Sequence, residues 1–134
     1  METINLKGHF FVEHANGKKV RVVYKSNGVT IGVRGIKEHP DMSDETTCFS
    51  STVDINGKTV GHASNDGCGG CSMVNFDDIT SCNKFYSVEK PQHYLCTEDI
   101  VDWLVNLTLD FKDITKTGVP LNELLRRYPK DGLW

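Results

Sequence analysis

The sequence predicts an α+β domain: an antiparallel sheet of about five to seven strands built from hairpins, with two C-terminal helices packed on it. Three observations predict it. Asn-Gly pairs at Asn16-Gly17, Asn27-Gly28 and Asn56-Gly57 separate runs of alternating apolar residues. Both residues of such a pair tolerate the positive φ that a two-residue hairpin turn requires. From Thr97 onward the apolar spacing changes from the period of a strand to that of a helix. The 134 residues fit a single domain, 1–134, with 1–90 mainly β and 97–128 helical.

The first Asn-Gly pair joins a strand over Leu6–Ala15 to one over Lys18–Ser26, and the second joins that strand to Val29–Ile36. Phe10 and Val12, Val20 and Val22, and Ile31 and Val33 supply the alternation of a half-buried sheet. The stretch 37–46 is polar, holds Pro40 and is predicted as a loop. A further hairpin pairs Thr47–Ile55 with Lys58–Ser64. After the loop SNDGCGG come a short strand over Ser72–Phe76 and a strand candidate over Lys84–Val88. Thr97 with Glu98 and Asp99 is the kind of start a helix favours, a capping hydroxyl followed by acids at the positive end of the dipole. That helix is predicted to run to Phe111. Ile100, Trp103, Leu104, Leu107 and Phe111 form one apolar arc, and Val101, Val105 and Leu109 a second flank. Pro120 opens a second helix with Leu121, Leu124, Leu125 and Tyr128 on its core face.

Composition excludes several classes of function. Net charge is −3 and the basic residues are scattered, so the chain lacks the basic stripe of a nucleic-acid binder. No apolar run approaches the roughly 20 residues of a membrane span, and the N-terminal stretch has no signal-peptide pattern. A cytoplasmic location is the expectation. The cysteines number five, an odd count that fits thiols or a metal better than a disulfide framework.

The chemistry-bearing residues concentrate after the second hairpin. Cys68 and Cys71 form a C-x-x-C, and His93 and Cys96 have ligand spacing of their own. Together these four would make a Cys3His site for Zn2+; the alternative is free thiols in a turn and in the core. A redox C-x-x-C needs a helix N-terminus, whereas this one follows a hairpin. Cys68 or Cys71 with His62 is the one nucleophile–base pair to name, with Asp66 in place to orient the histidine. The loop offers another reading. Asn65, Asp66, Gly67, Gly69 and Gly70, with His62 nearby, could cradle a small anionic ligand on successive amides. No nucleotide-binding fingerprint accompanies them. For a protein partner, the available surfaces are the flank Val101, Val105 and Leu109 and the terminal aromatic Trp134. Core burial of that flank and docking of Trp134 on the domain are the structural alternatives.

The text from Ser51 to Gly70, STVDINGKTVGHASNDGCGG, resembles the hairpin-plus-SNDGxGG segment of small proteins from bacteria, phages and mobile elements. That resemblance implies that the glycine pattern belongs to the fold. It also implies a phage-borne accessory protein that inhibits a host defence component by binding it, in the host cytoplasm. The functional expectation is therefore a small interaction protein with a protein partner, a second copy included. Two alternatives stay open: a small-ligand or nucleotide binder using the Asn65–Cys71 loop, and a domain stapled by zinc.

Overall fold

The computed structural model describes residues 2–15, 18–39, 41, 48–67, 72–90 and 96–115. Among them, seven strands form one sheet: β1 (Glu2–Lys7), β2 (Phe10–Ala15), β3 (Lys18–Ser26), β4 (Val29–Glu38), β5 (Phe49–Ile55), β6 (Lys58–Asn65) and β7 (Met73–Phe76). The order in the sheet is the order in the chain, and every pairing is antiparallel. Two helices follow, α1 (Ile79–Tyr86) and α2 (Asp99–Thr115). The expected α+β class and hairpin-built antiparallel sheet are what the chain forms.

The turns explain the meander. Asn27 and Gly28 have φ of 53° and 76°, and Asn56 and Gly57 have 53° and 84°. Both residues of each pair are left-handed, as a type I′ turn requires. The predicted strand over Leu6–Ala15 is divided at Gly8, where φ is 56°, and the division adds β1 as an extra edge strand. The Asn5 side chain holds that turn by donating to the Gly8 carbonyl at 3.0 Å.

The segment around Lys84–Val88 is not a strand. Ile79–Tyr86 is helical, and Val88 follows the helix end. The reason is local: the Asp78 side chain accepts from the Ser81 amide at 2.7 Å and caps the helix. Ser81 and Phe85, one turn apart, are its buried residues. Phe85 is fully buried, in ring contact with Phe76 and Tyr86.

The core lies between one face of the sheet and the helices. Phe10, Val12, Val22, Tyr24, Ile31, Val33 and Val53 supply the sheet side; Ile100, Val101, Leu104, Val105, Leu107 and Phe111 supply α2. β3 pairs with β4 only from Tyr24 to Ser26. Beyond that pairing α2 takes over, and the Val22 amide donates to Thr108 Oγ1 at 3.2 Å. A threonine on a helix thereby satisfies a strand amide inside the core. The start of α2 differs from expectation: Asp99 Oδ2 reaches back to the Cys96 amide at 3.2 Å, in the manner of a capping box, one residue before Thr97. The helix predicted from Pro120 lies outside the described residues. No helix among them is long and apolar enough to cross a membrane.

Candidate functional site

The loop singled out by the sequence is anchored by a buried polar chain. Asn65 ends β6, and its Oδ1 accepts the Gly67 amide at 2.9 Å, closing an Asx turn in which Gly67 takes φ of 85°. The Asn65 amide reaches Ser72 Oγ at 3.5 Å, and the Ser72 hydroxyl donates to Asp102 of α2. Asn65 and Ser72 are both buried. Burial, with the nearby charge of Asp99, pushes the Asp102 carboxyl up to about 6, although the Ser72 and Asn65 hydrogen bonds oppose it. This arrangement ties the loop's two feet to the helix. Asn65 and Gly67 are consumed by the fold, while Asp66 is exposed.

His62 does not join them. Strand alternation sends Ala63 and Asn65 into the core and leaves His62 and Ser64 exposed on the outer face. There, with Lys37, Ser50, Thr52 and Asn75, they line a shallow groove of about 360 Å³. Cys68, Gly69, Gly70, Cys71, His93 and Trp134 lie outside the described residues. The reduced state expected of the cysteines holds for Cys48 and Cys82, whereas Cys96 is disulfide-bonded. An oxidised sulfur is not a thiolate ligand, so Cys96 could hold Zn2+ only after reduction. No group of three metal-ligating side chains occurs among the described residues. The helix flank proposed for a partner is core: Val101 and Val105 are both 0% exposed, and Leu109 is half-buried against the same cluster.

The outer face also carries a charge cluster that sequence reading missed. Asp54 is fully buried, and its Oδ2 lies 2.9 Å from Arg21 Nη1 and 3.1 Å from Arg34 Nε. Glu13 holds the other side of Arg21 at 3.2 Å. Burial lowers the Arg21 pKa, but Asp54 and Glu13 outweigh it and leave it raised. Opposite charges thus pair across β2, β3, β4 and β5, a cross-strand network that fixes register.

The remaining feature is the edge of the sheet at β7. Met73, Ile79 and Tyr86 are the exposed large hydrophobics among the described residues, at 67%, 72% and 46%, and all three belong to β7 or α1. The strand itself, MVNF, has no charge, no proline and no glycine. At the other edge β1 has a register shift between Asn5 and Lys7. Irregularities of that sort keep edges from pairing with other chains, and the pairing of β7 shows none, although at four residues it is a short strand. Sequence reading found β7 as a strand; only the topology shows that it is an edge.

No protein-family model matches the chain, and neither a curated protein nor a solved structure matches it.

Proposed function

We propose that this chain is an interaction protein that acts by occupying a partner's surface, with the β7–α1 edge as its contact. One observation carries the reading: the exposed large hydrophobics of the described residues all lie on β7, the last strand of the sheet, and on α1, which follows it. The Asn65–Ser72–Asp102 chain supports it indirectly, because it uses Asn65 and Gly67, two of the residues of the ligand reading, to hold the fold. The specific form suggested by the likeness of the Ser51–Gly70 segment is a phage-borne inhibitor that binds a host defence component.

The test is site-specific photocrosslinking in the native cell, with a photoreactive residue at position 79 or 86. Crosslinks to a discrete protein from these positions, and none from Thr3 on the opposite edge, are the expected outcome. Equal labelling from all three positions, or none from 79 and 86, would overturn the assignment.

A further inference from the structure

We infer that β7 docks a second copy of this chain by antiparallel strand addition. This rests on the β7–α1 edge being the contact surface; it names a second copy as the occupant of the strand and leaves Ile79 and Tyr86 of α1 as the part another protein would meet. The Asp77 amide donates to the Val60 carbonyl at 2.8 Å, in register with the Asn75–His62 and Met73–Ser64 pairs. Backbone groups alternate along a strand, so Met73 and Asn75 turn theirs toward β6 and Val74 and Phe76 turn theirs toward the open edge. Such an edge presents donors and acceptors at strand spacing, and the group that satisfies them is another extended strand.

The sequence of β7 fits that strand to itself. A continuous sheet requires facing residues to point to the same side. A two-fold axis through Asn75 meets this condition. Val74 faces Phe76 of the second copy, and Phe76 faces its Val74. These are the residues whose backbone groups are turned outward, so each pair exchanges both of its hydrogen bonds. Val74 and Phe76 are the half-buried apolar residues of the strand, packed against the core. The pairing therefore extends the apolar layer from one copy to the next. Asn75 meets its own copy on the outer face, where two amides can bond to each other. The paired residues of β7 carry no charge that would set like charges opposite one another. Such a contact is isologous, and it closes at two copies because it consumes the edge that makes it.

The axis makes a charge-swap test available. Asn75 is exposed, so Asn75→Lys and Asn75→Asp leave the fold intact, yet each places like charges opposite one another in the dimer. Sedimentation equilibrium of the full chain from about 1 to 200 µM should show a dimer for the unmodified protein, and dissociation at least about tenfold easier for either variant. An equimolar mixture of the two should restore the dimer. Val74→Pro removes an amide facing the open edge rather than one bonded to β6, and it should also give a monomer. An unmodified protein that stays monomeric throughout, or variants that dimerise as well as it does, would overturn the inference. A monomer that still crosslinks a different protein from position 79 would overturn the dimer alone, leaving the contact surface in place. A monomer that crosslinks nothing from positions 79 and 86 would remove both.

Discussion

Gly61 of β6 lies against the backbone of β7. A Cβ on it would lie 2.1 Å from the Asn75 carbonyl oxygen and 3.0 Å from Phe76 Cα. Both obstacles are backbone, so neither can swing aside. Gly61→Ala is expected to push β7 off the sheet and cost at least about 2 kcal/mol, read from the urea midpoint. Gly32 plays a milder part under the charge cluster. A Cβ there would meet Arg21 Nη1 at 2.8 Å and Asp54 Oδ1 at 2.9 Å. Asp54 Oδ1 is buried with no hydrogen-bond partner, so the whole carboxylate depends on its bonds to Arg21 and Arg34. Asp54→Ala leaves Arg21 partly buried and lacking its main partner, and about 2–3 kcal/mol should be lost. The two arginines can still reach water, which keeps the loss below that of a fully enclosed pair. These constraints were invisible in the sequence because they join residues far apart in the chain. The Asn-Gly turns were legible because their cause is local: Asn27 and Asn56 have positive φ by their own chemistry.

At the scale of elements, α1 and α2 show where periodicity helps and where it fails. The apolar arc of α2 is long enough to identify the helix, and both of its predicted flanks face the core, with Trp103 and Leu109 half-buried. The second flank, a candidate partner surface in the sequence, is core instead, because burial depends on what the sheet brings to it. α1 is only eight residues long, and its aromatic Phe85-Tyr86 pair has β-type composition. Its readable sign was Asp78, three residues before Ser81, in a pair of acids that otherwise suggests a solvated turn. His62 and Asn65 were placed in one site by nearness along the chain. They are three apart on a strand, and that odd spacing alone sets them on opposite faces. Asp102 carries a pH dependence with a definite sign. Its folded value of about 6 lies above the ordinary carboxyl value near 4. Its contribution to stability is therefore fully present below about pH 4 and is lost as pH rises through about 6. Asp102→Asn keeps an acceptor for Ser72 but cannot titrate. A series of urea midpoints for this variant should be flatter between about pH 4 and 6 than for the unmodified protein. An unchanged profile would show that Asp102 is not the group responsible.

For the whole molecule, the sheet of the described residues has two edges, β1 with a register shift in its pairing and β7 with none. Its seven strands follow the chain in order, so the first and last are the edges by construction. Short sequence signals identify strands, but the protection of an edge is a property of the assembled sheet. The same assembly decides what the hydrophobic residues of β7 and α1 do. Phe76 and Phe85 turn inward and touch at 5.1 Å between ring centroids, while Met73, Ile79 and Tyr86 remain outside. The most direct measurement is amide hydrogen exchange, residue by residue along β7, at low and high protein concentration. Asn75 and Asp77, bonded to β6, should be protected at both concentrations. Val74 and Phe76 should exchange rapidly when dilute and become protected as the concentration rises. Exchange at Val74 and Phe76 that is fast at every concentration would contradict pairing between copies. Protection already complete in dilute monomer would show that the edge was never open.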